Sequence, residues 1–138
     1  MKIAFLIVDY NISGGMKMIA RHGTHLARRG HQVFLISQEP LSAHLRSWFE
    51  ADDAPWRGIS YAEAGQMTFD AAIVTYYSTL FDLKRIRAEK YFHLLQGIPA
   101  VLEEHDFRTA LVAALMSVRM NVIAVSAMLS EMAVDRCG

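Results

Sequence analysis

Residues 3–8, Ile-Ala-Phe-Leu-Ile-Val, form an apolar run with no polar residue in alternation. A strand of that composition needs cover on both faces, which points to a parallel sheet between two layers of helix. The polar turn Asp9–Gly15 follows, and from Met16 the apolar or small residues fall at 16, 19, 20, 23, 26 and 27, a single helical stripe. Lys17, Arg21, Thr24 and Arg28 make the opposite, wet stripe. Arg28 and Arg29 suit the negative end of this helix, and Gly30 suits a left-handed terminus.

The alternation continues along the chain. Val33–Ser37 reads as a buried strand, Ser42–Glu50 as a short helix, and Trp56–Tyr61 as an edge strand. Phe69–Thr75 reads as a central strand, followed by a helix capped by Ser78 or Thr79 with Leu80, Leu83 and Ile86 inward. Tyr91–Leu95 is a fifth strand, and Phe107, Leu111, Ala114, Leu115 and Val118 repeat at helical spacing. Asn121–Val125 is a sixth, and Ser126 is placed to cap a last helix with Leu129, Met132 and Ala133 inward, ending near Gly138.

The expected architecture is a doubly wound, mainly parallel α/β sheet of about six strands with helices on both faces, in the order 3-2-1-4-5-6. In that order the Tyr61–Phe69 link crosses roughly 15 Å, and its intervening residues reach about 23 Å when extended, so it needs no helix.

With 138 residues and 53% hydrophobic content, residues 1–138 are expected to form one domain. Fourteen basic residues balance fourteen acidic ones, so no net field favours a polyanion, and nucleic acid is not an expected partner. Cys137 is a lone cysteine, suited to a reducing compartment and unable to build a disulfide framework or a C-x-x-C metal site. The opening apolar run is too short for a signal core or a transmembrane segment, and the expected location is cytoplasmic.

Ligands of an open parallel sheet sit at the carboxyl ends of its strands, where the strand order reverses. Asp9–Gly15, Thr75–Thr79, Gln96–Pro99 and Ser126 should converge there. Gly14 and Gly15 at a helix N-terminus offer unhindered amides to phosphate oxygens, or merely make a tight turn. The loop matches neither the G-x-G-x-x-G dinucleotide fingerprint nor a Walker loop.

Met1–Ile7, Ser13-Gly14-Gly15 and Leu26–Val33 together resemble the opening of the family-4 (group 1) glycosyltransferases of the GT-B fold. Phe69–Val74, Tyr91–Gly97, and Asn121–Ser126 followed by Leu129-Ser130-Glu131 are similar to later landmarks of the same domain. The resemblance implies the N-terminal, acceptor-side half of a two-domain enzyme whose donor domain lies beyond residue 138. It implies retaining, metal-independent transfer from a nucleotide-sugar co-substrate to a glycan or lipid-linked acceptor, with no other cofactor.

By the same likeness Gly14 and Gly15 approach the donor diphosphate, and their amides stabilise charge growing on the departing group when the domains close. The main catalytic motif falls in the absent domain, so residues 1–138 alone should be inactive and bind donor weakly. The full enzyme can be membrane-peripheral, and the open cleft can promote self-association. Ile98 and Pro99 depart from the family pattern, which often has an aromatic residue and a glutamate there.

The acceptor-side candidates are Asn11, Ser13, Thr75, Tyr76, Tyr77, Gln96 and Ser126. The Gln96 amide can bond an acceptor hydroxyl or satisfy loop backbone. Tyr76 and Tyr77 can pack on a sugar ring, with at least one expected in the core. Ser126 serves as a cap or touches ligand. His22 and His25 have no compatible metal-ligand partners. Two other readings stay open: a different sugar-nucleotide enzyme, such as an epimerase or reductase, and a non-catalytic flavodoxin-like binding or receiver module. The receiver lacks the acidic cluster that magnesium needs.

Overall fold

The structure is a computed structural model, and it describes residues 1–11, 13–39, 55–97 and 120–137. Among the described residues there are six strands: β1 (Lys2–Leu6), β2 (Gln32–Ser37), β3 (Trp56–Ser60), β4 (Thr68–Val74), β5 (Arg87–Leu95) and β6 (Asn121–Ala124). All neighbours pair in parallel, in the order β3-β2-β1-β4-β5-β6, as the apolar pattern of the strands implies. Helix α1 spans Gly14–Arg28, α2 is a single turn over Tyr61–Ala64, and α3 spans Ala127–Cys137.

The pleat divides the core in two. Ile3, Phe5, Val33, Leu35, Ile73 and Leu94 face α1 and pack with its Met16, Ile19 and Ala20. Ala4, Leu6, Phe34, Ile36, Ala72 and Val74 face the other way, against Tyr61, Ala64, Leu80 and Ile86. Burial on both sides of β1 is what an unalternated apolar run requires, because either face left wet would expose about half of its side chains.

Helix α1 begins where Ser13, in an extended conformation, accepts the Met16 amide on its hydroxyl at 3.1 Å. It ends at Arg29, and Gly30 takes the left-handed conformation, φ 87°, that turns the chain into β2. Gly23 lets the helix approach Trp56 and Val33, whose nearest atoms lie 3.4 Å from where a β-carbon would be. Thr24 departs from the expected wet stripe: its hydroxyl accepts the Trp56 indole N–H at 3.1 Å, which draws it against β3.

The Tyr61–Phe69 link contains a helical turn that the distance it spans does not by itself require. Ser60 and Glu63 form a reciprocal capping box, and Tyr61 and Ala64 bury themselves under the sheet. The Arg85 guanidinium lies 4.4 Å over the Tyr61 ring and pairs with Asp82 at 3.3 Å.

After β4 the chain forms a 3-10 segment over Tyr77–Arg85 instead of the expected α-helix. Neither Ser78 nor Thr79 acts as its N-cap. Thr79 is buried; its hydroxyl donates to the Tyr76 carbonyl at 2.7 Å and accepts the Tyr76 amide at 3.4 Å. That local exchange tightens the turn in place of a regular helix start.

Strand β5 starts at Arg87, earlier than the apolar run suggests, since its first residues pair with Thr68 and Phe69 while lying largely exposed. Ser126 accepts the Leu129 amide at 3.3 Å and so caps α3, and Leu129 is buried. The expected helices at 42–50 and 107–118, the side chains of Met132 and Ala133, and Gly138 lie outside the described residues. Among the described residues no helix is long and apolar enough to cross a membrane.

Candidate functional site

Strands β1 and β4 are neighbours, but the connections that leave them run to opposite faces of the sheet, so the chain parts at their carboxyl ends. A cleft of about 400 Å³ opens at that point. Asp9, Ser13 and Gly15 line one side; Thr75, Tyr76 and Tyr77 line another; His93, Gln96 and Gly97 come from the end of β5. Ile7, Met16 and Ile19 supply apolar wall from the core beneath α1.

The loop entering α1 is held from below. Tyr10 is buried and its hydroxyl donates to the Leu35 carbonyl at 3.2 Å, fixing the turn to β2. Asn11 is turned away from the cleft: its backbone and side-chain N–H groups donate to the two oxygens of Asp9 at 2.8 and 2.7 Å. This local bonding removes Asn11 from the cleft lining.

Gly15 lines the cleft, while Gly14, one residue earlier, is exposed outside it. The expected pair is thus split. The side-chain carbonyl of Gln96 rests 3.1 Å from the position a β-carbon on Gly15 would take, so only glycine leaves that space open. That Gln96 Oε1 atom is buried and has no hydrogen-bond partner among the described residues. A carboxamide of this kind does not satisfy loop backbone with its oxygen; it presents a vacant acceptor at the first turn of α1.

Thr75 is buried and spends its hydroxyl on the Leu6 carbonyl at 2.7 Å, tying β4 to β1 beyond their ladder. Its role is to shape the cleft floor. The Tyr76 and Tyr77 rings pack with centroids 4.4 Å apart and planes tilted by 39°. Tyr76 is 46% exposed and Tyr77 half-buried, so both rings stand at the rim and neither joins the core. Partial burial, and then the neighbouring Tyr77 hydroxyl, push the Tyr76 phenol above its usual pKa. The Tyr76 phenol stays protonated at neutral pH and can donate. Ser126 is a helix cap outside the cleft lining.

His93 is the lining residue to which sequence reading gave no role. It is 6% exposed, registers with Val74 on one side and Val122 on the other, and its imidazole makes no hydrogen bond to another described residue. Burial pushes its pKa below the ordinary 6.5, which keeps the imidazole neutral near pH 7. Its position inside the apolar run Tyr91–Leu95 was the available signal: a polar ring in a strand buried on both faces needs a reason to be there. His22 and His25 lie exposed on α1, and no group of three or more metal-ligating side chains occurs among the described residues.

Among the described residues the cleft lining carries one charged side chain, Asp9, whose two oxygens each accept a hydrogen bond from Asn11. It offers backbone amides, hydroxyls, two aromatic faces, an imidazole and an unpaired amide oxygen.

No protein-family model matches the chain, and no curated protein matches it in sequence. Among solved structures, one described as "Structure of MT0777" superposes with a TM-score of 0.58 at 12% identity, covering 99% of this chain and 96% of that one. At that identity the likeness establishes the fold alone: an α/β sheet of the Rossmann-like kind, matched end to end.

Proposed function

We propose that this domain is the acceptor-binding half of a glycosyltransferase that uses a nucleotide-sugar donor. The observation that carries the reading is the cleft at the strand-order reversal, where amides at the start of α1 adjoin an uncharged, hydroxyl-bearing wall rimmed by Tyr76 and Tyr77. Such a wall suits a sugar ring, whose faces pack on aromatic rings and whose hydroxyls exchange hydrogen bonds with neutral groups. In this division of labour the donor's diphosphate is held mainly by the other half of the enzyme and meets the first-turn amides of α1 here.

In this reading the complete enzyme transfers the sugar with retention and without a metal, and the 138-residue chain alone does not turn over. The acceptor is a glycan or a lipid-linked sugar.

The test is an amide-resolved NMR titration of the chain with uridine, guanosine and adenosine diphosphates, and separately with nicotinamide dinucleotides. At least one nucleoside diphosphate should bind in the millimolar range with shifts centred on Gly14 and Gly15. Micromolar binding of a nicotinamide dinucleotide at the same cleft would replace the proposal with a reductase or epimerase. Silence of Gly14 and Gly15 toward every diphosphate would remove the transferase reading.

A further inference from the structure

One polar atom of the cleft is buried without a partner among the described residues, and a buried imidazole lines the same cleft. Gln96 Oε1 is buried against Gly15, and His93 is more than nine-tenths buried at the end of β5. An unpaired buried acceptor is costly to keep, so the Gln96 oxygen is an unmet demand for a hydrogen-bond donor in a cleft that His93 also lines. The two groups reach the cleft from different sides of β5. Tyr91, His93 and Leu95 alternate with Phe92 and Leu94, which face α1, so His93 lies on the side of the 3-10 segment, while Gln96 has crossed to the first turn of α1.

The chemistry of a matching ligand follows from what surrounds the pair. A phosphate carries mainly acceptors at neutral pH, so although the first-turn amides can receive one, it offers nothing to Gln96 Oε1, and among the described residues the cleft lining has a carboxylate at Asp9 and no cationic side chain. A primary ammonium could pair with Asp9 but carries only donors, so it would leave the N–H of a neutral His93 imidazole without an acceptor. A hydroxyl donates and accepts at once. It can give its hydrogen to Gln96 Oε1, or to the bare nitrogen of a neutral imidazole, while the other imidazole N–H returns a bond to a ring oxygen or second hydroxyl.

We propose that Gln96 and His93 are the specificity-determining pair of this cleft, selecting a neutral, hydroxyl-rich ring over a phosphorylated one. The inference rests on the assignment of this cleft to the acceptor and deepens it: the part of the acceptor held here is an unphosphorylated sugar. Tyr76, at the rim, covers one face of that ring.

The experiment follows the Gln96 carboxamide and His93 imidazole nitrogens by NMR in the isotope-labelled chain. The methyl α-glycosides of glucose, mannose and galactose are added in turn, and then inorganic pyrophosphate. At least one glycoside should shift both groups to a common saturation, with pyrophosphate leaving them in place. Gln96→Met and His93→Phe, which keep volume and remove the hydrogen bond, should each weaken that glycoside about tenfold with the backbone amide pattern retained. If His93→Phe does not fold, the imidazole shift of the unaltered chain decides.

The proposal is overturned if no glycoside moves either group, or if pyrophosphate moves them and the glycosides do not. Its outcome separates from that of the transferase reading. Glycoside shifts at Gln96 and His93 with Gly14 and Gly15 silent to every nucleoside diphosphate would leave a sugar-binding cleft without a transferase. The reverse pattern would leave the transferase and discard the pair.

Discussion

The side-chain oxygen of Gln96 occupies the space that any β-carbon at residue 15 would enter, at 3.1 Å. Because the obstacle is the end of a flexible side chain, Gly15→Ala should move Gln96 and leave the fold intact. Alanine is the better helix former by up to about 1 kcal/mol, so the thermal midpoint should hold or rise by a few degrees. Glycoside affinity should fall about tenfold. Gly14→Ala meets nothing within 4 Å and should leave the Gln96 carboxamide resonances unmoved. Thermal melts and the glycoside titration check both variants.

A neutral His93 makes stability depend on pH with a defined sign. Its folded pKa lies below 6.5 because burial penalises the cation, so between the two values the unfolded chain binds more protons than the native one. The contribution is complete above pH 6.5 and is lost as pH falls from there through the folded pKa. Urea melts from pH 7 to pH 5 should therefore show a declining midpoint, and His93→Gln should flatten that decline. An unchanged slope in the variant would show that His93 is not the group responsible.

Gly30 tests the backbone without any packing term. Its φ of 87° is a region that side chains disfavour, and a β-carbon there would touch nothing. Gly30→Ala should cost about 1–2 kcal/mol through conformation alone, read as a lowered denaturation midpoint with unchanged ligand titrations.

The Trp56 indole N–H donates to Thr24 at 3.1 Å from a residue only 4% exposed. Thr24→Val keeps the shape and orphans that donor, at a cost of about 1–3 kcal/mol. Trp56→Phe in the Thr24→Val background should recover part of the loss in the donor term, and a double-mutant cycle by chemical denaturation measures it.

The strand order was readable because β1, β2 and β4 carry their two-sided burial in composition, and Gly30 marks its turn unaided. The helical turn at Tyr61 was also written in the chain, as Ser60 with Glu63 three residues on; a distance argument that an extended link suffices says nothing about whether it is preferred. The 3-10 segment was not readable, since Thr79 bonds back to Tyr76 through a contact that the spacing of Leu80, Leu83 and Ile86 does not reveal.

At the site, Ser13, Gly15, Thr75, Tyr76, Tyr77 and Gln96 reach the cleft because strand ends and helix starts put them there. Asn11 and Ser126 do not, because short polar side chains beside a turn or helix start find backbone or near-neighbour partners first. His93 was hidden by its company, an imidazole within a run of large apolar side chains.

The bond from Thr75 to the last carbonyl of β1 has a consequence for recognition. It fastens two strands at the place where their continuations diverge, so the floor under any bound ring is already immobile before the ring arrives. Most of the entropy surrendered on association then comes from rim tyrosines and from the ligand, and a looser hinge, as in Thr75→Val, would be felt as faster release.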